Sequence, residues 1–387
     1  MKNISTEMKS RFLAASIVSC MALVTATASA ADRLVPSQYP TIQAAIDASA
    51  TGDSVVVAPG IYEEVIRFGG RAIHVRSMGG ASTTTVARPI NSPSNPVVTF
   101  DDGETSASIL SGFTISRGTG VFTNVFPPPQ SDGYQLGGGV FVSGASPRVQ
   151  DCVISNNTCG TYFSRGGGIY VGSGAPTFER CVIRDNQANG GYGASGGGVH
   201  VAGGSPQFND CTIKSCSVQP YGNGNCGGVG IAGGAPFFRN CRITGNSSSG
   251  GVGGMCVSAS TILERVYVGS INGTTPIAGD FNDAGGNVVN GDCNGNSVAD
   301  HLDIAGGLSD DLDADGMPDE CICRHYPVNC CPGDLNADLI VNGSDLGIML
   351  AFWGPVATFP RADLNQDGLV DGGDLGLLLA YWGSCPI

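Results

Sequence analysis

The stretch Gly166-Gly167-Gly168-Ile169-Tyr170-Val171-Gly172-Ser173-Gly174-Ala175-Pro176-Thr177-Phe178-Glu179-Arg180-Cys181-Val182-Ile183-Arg184-Asp185-Asn186 decides the fold, because its landmarks recur along the chain at a nearly fixed interval. Triple glycine followed by an alternating apolar run occurs at Gly137, Gly166 and Gly196, with shortened copies at Gly227 and Gly253. Pro147, Pro176, Pro206 and Pro236 follow at intervals of 29, 30 and 30 residues. Cys152, Cys181, Cys211 and Cys241 keep those intervals, as do Ile154, Ile183, Ile213 and Ile243. A repeat of this length is one supersecondary unit that buries its apolar face only by stacking on its neighbours.

Within each unit the apolar runs are short, as in Ile169 to Val171, Thr177-Phe178 and Cys181 to Ile183, and Gly, Pro, Ser and Asn separate them. Short runs of β-formers bounded by turn residues read as strands, and no unit holds a helical period long enough to compete. Several short strands per coil, stacked on equivalent coils, predict a right-handed parallel β-helix. Glycine, at 60 of 387 residues, is about twice its usual share and fits a chain of many tight turns.

Stacking places equivalent residues above one another. The four cysteines are expected in one inward column, with Phe113 and Val266 on the flanking coils, as buried thiols acting like small apolar side chains. Asn157, Asn186 and Asn246 form a second column, interrupted by Cys216, that reads as an amide ladder at a bend. At the N-terminal end, Tyr39 to Asp47 reads as a short amphipathic helix with Thr41 as its N-cap, placed to cover the open end of the solenoid.

Charge divides the chain. Residues 31 to 279 hold 14 basic and 14 acidic side chains, whereas residues 280 to 387 hold 2 and 18. No basic cluster exists that would neutralise a row of phosphates, which excludes nucleic acid as a partner. Residues 1 to 30 carry Lys2, Lys9 and Arg11, an apolar run from Phe12 to Val24 and Ala28-Ser29-Ala30, the pattern of a signal peptide. A secreted or cell-surface protein is expected, and no later segment is long and apolar enough for a membrane span.

In the acidic part, Asp334-Leu335-Asn336-Ala337-Asp338 through Asp345 and Asp363-Leu364-Asn365-Gln366-Asp367-Gly368 through Asp374 are near copies. Each puts oxygen-bearing side chains at positions 1, 3, 5, 9 and 12 of a twelve-residue loop, the spacing that wraps Ca²⁺. The pair, over residues 332 to 387, resembles type I dockerins, the small Ca²⁺ modules that attach bacterial glycan-degrading enzymes to cohesins. That resemblance implies one site of Asp334, Asn336, Asp338, Asn342 and Asp345 with the Ile340 carbonyl, and another of Asp363, Asn365, Asp367, Asp371 and Asp374 with the Leu369 carbonyl. Gly368 supplies the sharp turn at position 6, whereas Leu339 does not, so the first site is expected to be weaker. Gly343-Ser344 and Gly372-Gly373 stand where dockerins usually carry a Ser-Thr-like recognition pair, which separates Ca²⁺ binding from a cohesin-like partner.

Between the two parts, residues 280 to 331 contain Asp292, Asn294, Asn296, Asp300 and Asp303, then Asp311, Asp313, Asp315 and Asp319. This spacing resembles thrombospondin type 3 calcium repeats and implies a linker that also takes Ca²⁺. Cys331 and Cys385 flank the dockerin-like pair and are expected to clasp its ends.

The string Tyr39-Pro40-Thr41-Ile42-Gln43-Ala44-Ala45-Ile46-Asp47, followed by Gly52-Asp53 and by Ala58-Pro59-Gly60-Ile61-Tyr62, resembles the opening of secreted pectin-lyase-like β-helix proteins. The resemblance implies the fold of residues 31 to 279 but no activity, since that superfamily contains lyases, hydrolases, esterases and proteins without known chemistry. The acid, base and oxyanion strings of pectin methylesterases are missing. Arg184 and Lys214, with Asp185 beside them, are the best available catalytic candidates, weighed against a solvated charge column. His200, between Val199 and Val201, reads as an outward surface residue. Tyr134, Tyr162, Tyr192 and Tyr221 recur at 28, 30 and 29 residues and read as an aromatic edge able to stack on sugar rings. Three functions follow: a Ca²⁺-binding β-helix protein that binds or processes polysaccharide or cell-surface glycan, a polysaccharide lyase or glycoside hydrolase, or a non-catalytic structural surface protein.

Overall fold

The computed structural model describes residues 30–124, 133–160, 162–219, 224–269, 275–289, 300–309, 333–335, 340–355, 362–365 and 368–384. Among these, ten, nine and eight short strands stack into three long sheets whose neighbouring coils pair in parallel, apart from one register shift between Val252 and Met255. The chain is a parallel β-helix of triangular section. One coil runs through Ile169–Val171 on the eight-stranded face, Thr177–Glu179 on the ten-stranded face and Val182–Arg184 on the nine-stranded face. It then makes an excursion through Gln187–Ala188 and Gly193–Ser195, and returns to the eight-stranded face at Val199–Val201. The excursions stack too, as a four-stranded and a five-stranded sheet that together form a flap beside the eight-stranded face.

Period-2 alternation sends Ile169 and Val171 inward with Phe178 and Ile183, and all four are buried. The inward rings of Phe178, Phe208 and Phe238 stack at centroid distances of 4.9 and 4.7 Å, one coil apart. At the next corner, register places Cys152, Cys181, Cys211 and Cys241 in one buried column, with Phe113 before it and Val266 after it. These four cysteines are not disulfide-bonded, and their sulfurs face backbone carbonyl oxygens such as those of Gln150, Glu179, Asn209 and Arg239. Burial, first of all, raises the Cys152 thiol far above its ordinary range.

The amide column is a ladder. The Asn157 backbone N–H and its side-chain amide both donate to Asn186 Oδ1, at 3.1 and 3.0 Å, while Asn186 Nδ2 donates to the Ile154 carbonyl at 2.8 Å. Where Cys216 interrupts the column, its N–H still donates to Asn246 Oδ1 at 2.9 Å. Buried backbone groups at the bend, which no strand satisfies, are thereby paired.

The helix Ile42–Asp47 starts at Thr41, whose Oγ1 accepts the Ala44 N–H at 3.1 Å. Glu64, on the first coil, accepts the N–H groups of Ile42 and Gln43, each at 2.9 Å, so a carboxylate sits at the positive end of the helix. Ile42, Ala45 and Ile46 are buried beneath it and close the end of the core.

Of the acidic tail, two helices are described in addition to Asp300–Gly306: Gly343–Ala351 and Gly372–Ala380. Leu335, Val341, Met349, Val370 and Leu378 join them in one small core, separate from that of the β-helix. Phe352, Trp353, Tyr381 and Trp382, just past the ends of the two helices, are exposed.

Candidate functional site

The excursion strands owe their direction to the glycine turn. Gly137, Gly166 and Gly196 have φ of +64°, +67° and +66°, the left-handed region that a side chain disfavours. A Cβ on Gly166 or Gly196 would also run into the carbonyl oxygen of Ile169 or Val199. The chain doubles back at each turn, so the flap strands Gly133–Leu136, Phe163–Arg165 and Gly193–Ser195 lie against the outer side of the eight-stranded face. In the fourth coil Cys226 holds this position at φ +62° and is disulfide-bonded to Cys256 on the next coil, a staple the sequence did not reveal.

On that outer side, register puts Phe141, Tyr170, His200 and Gly230 in one column. Phe141 and Tyr170 stack at 5.6 Å, and Tyr170 and His200 at 5.8 Å with only 5° between the ring planes. His200 points outward as its alternation requires, but it is not a surface residue: the flap leaves it 2% exposed. Neither of its ring nitrogens has a hydrogen-bond partner among the described residues. Burial first, and the Arg165 charge second, push its pKa down to about 3, so the ring is neutral.

The flap supplies a second aromatic group. Tyr134 lies 5.0 Å from Phe163, and the Arg165 guanidinium sits 4.7 Å over the Tyr134 ring. Tyr162 and Tyr192 stack at 5.5 Å and 11° and are 40% and 66% exposed. The expected single tyrosine column therefore splits. Tyr134 pairs in register with Phe163, one residue past Tyr162, while Tyr192 follows Tyr162; Tyr221 lies outside the described residues.

Arg184 and Lys214 are neighbours in register, and Arg184 is ion-paired with Asp185, the two side chains being 42% and 39% exposed. Asp151 is held by Arg180 at 2.7 Å, and Asp210 by the Asn240 amide at 2.9 Å. The carboxylates nearest the repeating strands are thus members of surface ladders.

In the tail, the described residues of the two loop copies make matching contacts. Asp345 Oδ1 accepts the Leu335 N–H and Oδ2 the Asn342 N–H, both at 2.8 Å. Asp374 does the same for Asn365 and Asp371, at 3.1 and 2.8 Å. Asn342 and Asp371 are helix N-caps completed by these carboxylates. Gly368 has φ +90° and donates to Asp363 at 2.8 Å, a turn that fits position 6 of a Ca²⁺ loop. Asp334 is buried at the head of the first loop, and the Ile340 and Leu369 positions begin the short strands that lead into the helices. Asn336, Asp338, Asp367, Asp292, Asn294, Asn296, Asp311, Asp313, Asp315, Asp319, Cys331 and Cys385 lie outside the described residues. Asp300 and Asp303 lie on the helix Asp300–Gly306, with Asp303 buried. Among the described residues no three acidic, His or Cys side chains gather as a metal cluster.

A family model described as a right-handed β-helix region matches residues 98–268, in agreement with the coils above. No curated protein matches the chain. Two solved structures of a pectin methylesterase from Aspergillus niger resemble it at 16% identity. The penultimately deglycosylated form has a TM-score of 0.38 over 67% of this chain and 87% of the other. The deglycosylated form has 0.32 over 67% and 86%.

Proposed function

We propose that this chain is an exported β-helix protein that binds polysaccharide or cell-surface glycan along the aromatic outer edge of its flap. The observation that carries this reading is the parallel, exposed Tyr162 and Tyr192 pair beside Tyr134 and Phe163. In this stacked pair each ring covers one face of the other, so a sugar chain meets the exposed ring edges and hydroxyls that the pair lines up along the flap. In this reading the duplicated acidic loops at the C-terminus bind Ca²⁺ and stiffen a dockerin-like attachment module. Gly368 and the twin carboxylates of Asp345 and Asp374 support that part. A cohesin-like partner is the part with least support, given Gly343-Ser344 and Gly372-Gly373 at the recognition positions.

The catalytic alternative, a polysaccharide lyase or glycoside hydrolase, is less favoured because Arg184 and Asp185 bind each other at the surface. Incubation of the full-length protein with neutral and acidic polysaccharides, with Ca²⁺ and with chelator, tests the choice. Retention of protein on a polysaccharide without new reducing or unsaturated ends is the expected result. Release of either product overturns the binding reading in favour of the enzyme.

A further inference from the structure

Arg165 differs from most arginines of the coils. Arg33, Arg67, Arg117, Arg180 and Arg239 each hold a carboxylate, whereas the Arg165 guanidinium makes no ion pair or hydrogen bond among the described residues. Its guanidinium is half-buried and fixed over the Tyr134 ring, an arrangement that positions the cation without neutralising it. Next to it lies His200, a nine-tenths-buried polar ring with both nitrogens unpaired. A buried donor left unpaired destabilises the fold that holds it. The stack itself does not need it, because Phe141 fills the same column without any polar atom.

Two hydroxyls complete the surroundings. The Tyr170 phenol belongs to the same stack and has no hydrogen-bond partner among the described residues. Ser195 Oγ occupies the place where a side chain of Gly230 would stand in the column, and His200 Nδ1 lies 3.3 Å from that point. Guanidinium, imidazole N–H and two hydroxyls are donors, and among the described residues no carboxylate is paired with them. Such a set suits an oxyanion.

We propose that the angle between the flap strand Phe163–Arg165 and the outer side of Ile169–Val171 and Val199–Val201 is a binding site for a singly charged oxyanion, a carboxylate or a sulfate ester. Arg165 supplies the charge and a planar pair of donors, and His200, Tyr170 and Ser195 supply neutral ones. The single cation matches one negative charge. The proposal rests on the glycan reading only for the source of the anion, not for the site.

The test uses full-length protein and the variants Arg165→Met and His200→Phe, the second of which continues the ring column and so keeps its packing. Sodium sulfate or acetate, compared with chloride at equal ionic strength, is expected to raise the melting temperature of the wild type but not of Arg165→Met. Affinity electrophoresis in carboxylated, sulfated and neutral polysaccharide is expected to show at least tenfold weaker acidic-glycan retention in both variants. Arg76→Met, which removes a cation on the ten-stranded face, should behave as wild type. An Arg165-dependent thermal shift without retention in any polysaccharide leaves the anion site standing and removes the glycan as its source. Equal shifts and equal retention in wild type and both variants would overturn the proposal.

Discussion

His200 illustrates how one residue carries both packing and charge information. Its ring extends the Phe141 and Tyr170 stack, and the groups facing it are Tyr170, Ser195, Gly230 and the Arg165 cation. The unfolded chain takes up a proton on this ring near an ordinary histidine value of about 6.5, whereas the folded chain does so only near 3. The contribution of His200 to stability is therefore complete above about pH 6.5 and declines as pH falls toward 3, by at most about 1.4 kcal/mol per pH unit. Urea midpoints at pH 7.5 and 5.0 are expected to drop more for wild type than for His200→Phe. An equal drop in both would show that the ring is not held neutral.

At the scale of elements, the corner ladders explain why such short strands stay in register. Each bend between the nine-stranded face and the flap leaves backbone groups that only the column of Asn157, Asn186 and Asn246 satisfies. Asn186→Leu should leave the Asn157 N–H and the Ile154 carbonyl unpaired in the core, at a cost of about 2–4 kcal/mol for the two groups. Asn186→Cys should cost less, since Cys216 already occupies this column and its own N–H is still paired. Denaturant midpoints falling in the order wild type, Cys, Leu are expected; a Leu variant as stable as wild type would remove the ladder from the account. The thiol column plays the complementary part, filling the preceding corner with side chains small enough to stack at the coil spacing of about 4.8 Å.

Over the whole molecule, what repeats was legible and what depends on the flap was not. The intervals of Pro147, Pro176 and Pro206 gave the coils, and equal spacing gave the Cys and Asn columns, because stacking makes sequence period and spatial neighbourhood the same thing. Alternation gave the outward direction of His200, but its burial depends on the flap strand that ends at Arg165, 35 residues earlier in the chain, doubling back at Gly166. The tyrosine offset had a signal: Tyr134 to Tyr162 is 28 residues where Gly137 to Gly166 is 29. The disulfide was hidden because Cys226 stands where other coils have the first glycine of the triple. The central claim is that the exposed Tyr162 and Tyr192 pair binds glycan. Titration calorimetry with a soluble oligosaccharide of whichever polysaccharide retains the wild type tests it most directly, applied to wild type and to Tyr162→Ala/Tyr192→Ala. Loss of both rings should weaken Kd about tenfold or more with the unfolding midpoint unchanged. An unaltered Kd in the double variant would contradict the account.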